Sequence, residues 1–316
     1  MDLKALRYFE FVAELKSFSQ AAVHLHVEQP ALSRQMRKLE DELGVQLVTR
    51  HGRGIELTDA GELLLRRVRH LGREVESMVE EVRSRGNELH GTIRIGAPPT
   101  IGDLIVPPLL VECARLYPHI GLEISESASP NLAQRLLNKE LTMALLHNPE
   151  PHRDLVIVPL VRDMLHIIGP AEPINGLVPV RPGQPISGLP MILPRAPHNR
   201  RLIIDRFCIR HGVELDVRYH VDGFTIIKAM VEAGLGYSIL SYYGVKEAIA
   251  AGRISATPVT HPEMPWELCV VYRREPRVFR PVDAIVELIA RRLRQLVAEG
   301  VWWPDATLLY RSEKAS

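Results

Sequence analysis

Gln29, Ser33, Arg34 and Arg37 stand about one helical turn apart at the start of a stretch that reaches Leu43 without a glycine. On a helix they would crowd its first turns with the side chains best suited to base edges. Gln pairs bidentately with adenine and Arg with guanine in the major groove of duplex DNA. Arg50 and Arg53 flank a short glycine-bearing tip, His51-Gly52-Arg53-Gly54, and suit contact with phosphates. The acids Glu40, Asp41 and Glu42 come only at the far end. A lone Arg–Lys run is usually a solvated face. Here the positive residues coincide with a helix start and a hairpin tip, which favours nucleic acid.

A second group sits where strands hand over to helices. The segments are Pro98-Pro99-Thr100-Ile101, Ser127-Ala128-Ser129-Pro130, Pro194 to Asn199, and Gly223-Phe224-Thr225. Helix starts expose backbone N–H groups, and nearby hydroxyls add donors, so such places favour anions. Arg195, His198, Arg200 and Arg201 add positive potential. Pro99, Thr100, Ser129, His198, Asn199 and Thr225 are therefore candidates for binding a small carboxylate or other oxyanion. His147, after the apolar run Met143–Leu146, is a further candidate. The plainer alternative is that Thr100, Ser129 and Thr225 are helix N-caps and His147 a structural hydrogen-bonder. No catalytic spacing is present: there is no Gly-x-Ser-x-Gly, His-Glu-x-x-His, Walker loop or Gly-x-Gly-x-x-Gly. No metal spacing and no resident cofactor are read either.

These residues need elements to hold them. Leu3, Leu6, Phe9, Val12 and Ala13 mark a first helix, over residues 2–15. Ser17 caps a short second one, Phe18–His24. A third runs from Gln29 to Leu43, with Pro30 in its first turn and Gly44 beyond its end. Extended pieces at Gln46–Thr49 and Ile55–Leu57 close a winged helix-turn-helix, whose third helix would enter a major groove. From Thr58 a helix continues to about Gly86. Leu64, Val68, Leu71, Val75, Met78 and Val82 are spaced 4, 3, 4, 3, 4 along it, a narrow heptad seam that suits pairing of two helices. From Thr92 the pattern becomes βαβ. Strands are expected at Thr92–Ala97, Gly121–Ser125, Leu141–Leu146, Met191–Pro194, Leu215–Val221, Tyr237–Leu240 and Trp266–Tyr272. Helices are expected from Pro107-Pro108 to Leu116, at Asn131–Asn138, His198–His211, Thr225–Glu232 and Val282–Val297.

The division is thus residues 1–58 for a DNA-binding head, 59–87 for a linker helix and 88–300 for a two-lobed α/β domain, with a tail at 301–316. Lobe I takes about 91–161 and 267–300, and lobe II about 162–266. The chain of 316 residues has 46% apolar and 24% charged residues and a net charge of +1, ordinary for a globular protein. No run reaches the ~18–20 apolar residues of a membrane span. The N-terminus lacks a signal pattern, and three unpaired cysteines, Cys113, Cys208 and Cys269, fit a reducing cytoplasm.

Taken in order, Ala21-Ala22, Gln29-Pro30-Ala31-Leu32-Ser33-Arg34-Gln35, Leu39-Glu40, Leu43-Gly44, Leu47, Arg50, Leu57-Thr58 and Gly61 match a family spacing. The sequence resembles the LysR-type transcriptional regulators. The match is sharp over about residues 2–90 and organisational over 91–295. Two residues depart from the family: Glu28 replaces the usual Ser or Thr before Gln29, and Val48 replaces a Phe.

The resemblance implies that Gln29, Pro30, Ser33 and Arg34 read or line the groove, with Arg50 and Arg53 on the backbone. It implies an antiparallel helix pair, a homodimer and often a homotetramer. It also implies promoter DNA as partner, RNA polymerase if the protein activates, and an effector domain similar to type 2 periplasmic binding proteins. In the peroxide-sensing branch a Cys follows a His, where this chain has Asn199 after His198. Cys208 matches only the resolving position, so that thiol pair cannot form. Two alternatives stay open: a regulator that uses its C-terminal domain only for assembly, and an enzyme on the two-lobed domain.

Overall fold

The structure is a computed structural model. It describes residues 1–51, 54–83, 89–260, 262–274 and 280–310. Arg53 and the side chains of Arg50 and Val82 lie outside the described residues. Contacts divide the chain into two compact units, Met1–Val82 and Arg83–Ser316.

In the first unit, α1 (Leu3–Leu15), α2 (Phe18–His24) and α3 (Gln29–Leu43) pack around Phe9, Val12, Ala21, Leu32, Met36 and Leu39. The Asp2 carboxylate accepts the Ala5 N–H at 2.7 Å and the Ser17 hydroxyl that of Gln20 at 3.3 Å, so both helices start where a cap is supplied. Gly44 ends α3 in the left-handed region at φ 69°. The hairpin β1 (Val48–His51) and β2 (Gly54–Leu57) forms the wing. It starts two residues later than the sequence pattern indicates. The Leu47 and Val48 N–H groups are taken by the Glu40 carboxylate at 2.8 and 3.3 Å, so Gln46 and Leu47 precede the ladder. The Thr58 hydroxyl caps α4 (Asp59–Arg83) through the Gly61 N–H at 3.0 Å. Gly61 is needed there, because a Cβ would sit 2.1 Å from the Leu47 carbonyl oxygen.

The second unit begins with β3 (Gly91–Ala97), α5 (Pro99–Leu116), β4 (Ile120–Glu126), α6 (Ser129–Leu137) and β5 (Met143–His147). A 16-residue strand, β6 (Leu155–Pro170), then leaves the first lobe for the second. The second lobe holds β7 (Pro190–Leu193), α7 (Asn199–His211), β8 (Asp216–His220), α8 (Phe224–Glu232), β9 (Ser238–Ser241), α9 (Tyr242–Ala250) and β10 (Ile254–Pro258). The chain returns through β11 (Pro265–Arg273) to α10 (Arg280–Ala298) and β12 (Thr307–Leu308). In lobe I, β3 runs parallel to both β4 and β5, and β11 is antiparallel to β5 and β6. In lobe II, β9 and β10 flank the second half of β6, and β7 pairs with β8. β5 is buried along its whole length, which explains its unbroken apolar run Met-Ala-Leu-Leu, whereas the parallel strands β4 and β8 are largely exposed.

Four elements have no counterpart among those expected from the sequence: β6, α9, β10 and β12. In β6 the pattern is interrupted by Pro159, which sits at a register shift opposite Cys269, and by Arg162-Asp163. A second difference concerns Pro107-Pro108, expected to open a helix. They lie inside α5, which starts eight residues earlier at Pro99. Two missing N–H groups leave the Asp103 and Leu104 carbonyls without helical donors. Asp103 and Pro107 are on the exposed side, where water can serve.

The segment 301–310, set apart in the sequence as a tail, belongs to this unit. Trp302 is buried with its ring 5.3 Å from that of Tyr243, and β12 adds to the edge of β6. Edge pairing is a tertiary choice, and ten residues with two adjacent tryptophans carry no period that announces it. Among the described residues no helix is long and apolar enough to cross a membrane.

Candidate functional site

The head presents one face of α3. Gln29, Pro30, Arg34, Arg37 and Lys38 are exposed there, and neither Arg34 nor Lys38 makes an ion pair among the described residues. Arg37 contacts the Ser33 carbonyl at 3.5 Å. Two of the three acids of the same helix are used elsewhere: Glu40 holds the start of the wing, and Glu42 pairs with the N-terminal amine. Arg34 and Lys38 thus remain as exposed positive charges on this face, with the exposed acid Glu28 at the start of the helix.

Ser33 differs from the sequence expectation. It lies between Leu32 and Met36 on the core side, is 6% exposed, and its hydroxyl has no hydrogen-bond partner. In this geometry it reads no base. Glu28 stands at the N-cap of α3 without any side-chain hydrogen bond.

The heptad seam on α4 divides in two. Val68 is buried and Leu64 half-buried in the head's own core. Arg69 reinforces this docking through Glu14 at 2.7 Å. Leu71 and Met78 are exposed, with Val75 half-buried between them and Val79 exposed beside them. The free part of the seam is thus narrower than the full heptad pattern.

In the second unit, the ends of strands and the starts of helices meet at His147. This last residue of β5 is buried, and its ring stacks on Trp266 at 4.4 Å between centroids. Its Nε2 lies 2.9 Å from the Tyr243 hydroxyl. Trp266 Nε1 can only donate and does so to the Tyr243 oxygen at 3.4 Å, and Thr100 also hydrogen-bonds that oxygen. Ser241 hydrogen-bonds the Tyr243 hydroxyl as well, and which of Tyr243 and His147 Nε2 donates in their shared bond follows the histidine tautomer. The His147 N–H donates to the Ser129 hydroxyl at 3.4 Å, and its carbonyl accepts from Asn199 Nδ2 at 2.8 Å. Thr100, Ser129 and His147 come from lobe I and Asn199 and Tyr243 from lobe II, so one network spans both. Burial, with the nearby Arg200 charge, lowers the His147 pKa to about 3.

His198 serves as the N-cap of α7, its Nδ1 accepting the Arg200 N–H at 3.2 Å. Burial and Arg200 lower its pKa. Pro99 is exposed at the first position of α5, and Thr225 is exposed on the first turn of α8 with no side-chain hydrogen bond to this network. Of the predicted set, Thr100, Ser129, His147 and Asn199 are therefore brought together directly.

Tyr243 and Trp266 were not singled out as site residues from the sequence, and Arg200 was named there only as a local positive charge. Arg200 is buried beside them with the Phe224 ring 5.8 Å away, and burial lowers its pKa to about 10. A signal did exist. Arg200 lies on the stripe of α7 that buries Ile204, Phe207 and Cys208, where an apolar residue is the rule. Cys113, Cys208 and Cys269 are all buried, and burial raises each thiol pKa, for Cys269 to about 12.

Comparison with known proteins fits this arrangement. The family described as "Bacterial regulatory helix-turn-helix protein, lysR family" matches residues 3–62, and "LysR substrate binding domain" matches 86–294. The HTH-type transcriptional regulator BbuR of Bordetella bronchiseptica is 29% identical over 96% of this chain and 93% of its own. The dual regulator OxyR of Escherichia coli is 28% identical over 93% and 96%. Among solved structures, full-length OxyR from Pseudomonas aeruginosa covers 93% of this chain and 98% of its own, at 26% identity and a TM-score of 0.66. Full-length CbnR, solved with its target DNA, covers 93% and 99% at 21% identity and a TM-score of 0.65, and so shares the fold. With a helix-turn-helix head and a two-lobed domain both matched in order, the chain belongs to the LysR family of DNA-binding transcriptional regulators, its C-terminal domain being the effector-binding one.

Proposed function

We propose that the protein controls transcription as a homo-oligomer, a dimer assembled further into a tetramer, in response to a small anion held between its two lobes. The observation that carries the anion is the set of helix starts around His147. None of α5, α6, α7 and α8 has an acid in its first turn, and α5, α6 and α8 have no side-chain cap. Unsatisfied N–H groups at helix N-termini are anion sites by both dipole and hydrogen bonding. Thr100, Ser129 and Asn199 supply further polar atoms at the same place.

On the DNA side, Gln29, Pro30, Arg34 and Arg37 read or line the groove, and Arg50 and Arg53 hold the backbone. Leu71, Val75 and Met78 form the exposed seam that pairs two linker helices, joined by Val82. In an activator, RNA polymerase is the further partner. An effector that binds the two lobe arrangements unequally shifts their populations, and through the linkers alters the spacing or bend of the bound half-sites.

The test is binding to duplex DNA upstream of the protein's own gene, titrated against salt and unrelated competitor DNA. Protection of spaced half-sites that survives competitor is expected. Binding that disappears with modest salt or competitor would be the sequence-independent phosphate attraction alone and would overturn this target. A melting temperature unmoved by any small acid would instead favour a C-terminal domain used for assembly only. Peroxide sensing by a thiol pair is not proposed, since Asn199 replaces the attacking thiol and Cys208 is buried with a raised pKa.

A further inference from the structure

Arg200 keeps only 6% of its surface exposed, yet it lies within 4.0 Å of no carboxylate among the described residues, and its Nε has no hydrogen-bond partner. Its neighbour Arg201 shows the contrast: that guanidinium pairs with Asp205 at 2.7 Å and also donates to the Pro194 carbonyl. The groups that face Arg200 come from every element around it. They are His147 from β5, Tyr243 and Phe224 from α9 and α8, and His198 from the start of its own helix. None of them is an acid. The Phe224 ring is held in place by close packing on Gly244, where a Cβ would come within 2.4 Å of it.

An arginine kept for the fold is normally paired and hydrogen-bonded, because a lone buried cation is disfavoured. One kept with no carboxylate partner among the described residues and with its buried Nε unsatisfied is a countercharge waiting for its anion. The same network limits the anion's charge. His147 and Tyr243 are neutral at physiological pH, and Arg200 is the one buried arginine or lysine among the described residues. A dicarboxylate or a phosphate dianion would bring a second negative charge with no buried cation to receive it. We infer that Arg200 is the specificity residue of the effector crevice, and that the effector is a small monocarboxylic acid whose carboxylate pairs with this guanidinium. This inference rests on the anion-binding reading of the crevice and adds to it the residue and the charge class.

The experiment is thermal melting of the full-length wild type, Arg200→Met and Arg200→Lys, alone and with acetate, benzoate, benzamide, succinate or inorganic phosphate at matched ionic strength. Without ligand, Arg200→Met should melt at or above the wild type, since an unpaired buried charge is removed. A monocarboxylate should raise the wild-type midpoint by about 5–10 °C at a hundredfold excess over Kd. Benzamide should not, and the rise should vanish in Arg200→Met and shrink in Arg200→Lys. A ligand-free Arg200→Met that melts well below wild type, with Arg200→Lys restoring it, would make Arg200 structural and overturn the inference. Equal stabilisation of wild type and Arg200→Met by a monocarboxylate would overturn it while leaving the anion reading intact. Stabilisation by phosphate or succinate alone would overturn the charge class. No response of the wild type to any of these anions would remove the anion reading and this inference together.

Discussion

Among the described residues Arg34 and Arg200 both lack a carboxylate partner, in opposite surroundings. Arg34 is exposed on the first turns of α3, where water satisfies it at little cost. Arg200 is buried between β5, α8 and α9, where its solitude is expensive. An unpaired charge on a surface is available to a large polyanion that covers the whole face. An unpaired charge in a cleft fits a small anion that enters it. The comparison also separates how each region is built. The head is a small core with an exposed reading face, while the crevice is a continuous network, from Trp266 through Tyr243 to His147, Ser129 and Asn199.

The largest expected effect tests whether the head stands on its own core. Phe9 is fully buried there. Phe9→Ala should cost about 3–5 kcal/mol of head stability and abolish DNA binding, while the second unit keeps its own unfolding transition. Loss of both transitions together, followed by differential calorimetry, would break the division into two independently built regions.

Next comes the network. Tyr243→Phe removes one hydroxyl and leaves buried His147 Nε2 and Trp266 Nε1 without it. The expected loss is about 1–3 kcal/mol in the second unit, read by urea unfolding, with the head's transition unmoved. A neutral substitution would mean that the network is incidental to the crevice.

Proton linkage gives a smaller effect with a definite sign. His147 and His166 are lowered from 6.5 to about 3 and about 4, chiefly by burial. Above pH 6.5 both states hold them neutral. Below it the unfolded chain takes up protons that the fold refuses, so stability falls with pH, by at most about 1.4 kcal/mol per pH unit for each histidine. Asp163 opposes this. Burial raises it from 3.8 to about 6, so the fold gains stability as pH falls from about 6 towards 3.8. His147→Gln should flatten the acid loss and Asp163→Asn should steepen it, in melting curves between pH 7.5 and 4.5. The reverse order would contradict the burial of these groups.

The smallest effect sharpens the linker. A Cβ on Gly72 would meet nothing within 4 Å. Gly72→Ala should therefore strengthen α4 by roughly 1 kcal/mol, seen as a higher helix signal with unchanged dimer dissociation. Weaker dimerisation instead would place Gly72 in the helix pair's contact.

The head was legible because its signals are local. Ser17, Pro30 and Gly44 mark helix ends within a few residues of where they act, and Leu6, Phe9, Val12 and Ala13 are on the buried face of α1, with Leu3 exposed at its start. Ser33 was misplaced because one turn of helix carries both exposed and buried positions, and residue type alone does not separate them. In the second unit, the strand-to-helix joints and four of the site residues were readable. Arg200 could be read only as one of several local positive charges and Tyr243 not at all, because their meaning depends on contacts between residues tens of positions apart. The same holds for β6, whose central Pro159 and charged pair mask a strand that only its neighbours β11, β9 and β10 make regular.

The most direct measurement is one titration of promoter DNA with wild type, Arg34→Ala and Arg200→Met, without ligand and over a range of salt. If α3 reads the groove and the crevice only senses, Arg34→Ala should lose about 1–3 kcal/mol of specific affinity, roughly 5- to 150-fold, and Arg200→Met should bind as the wild type does. An Arg34→Ala protein that binds its promoter as tightly and as selectively as the wild type would contradict the account.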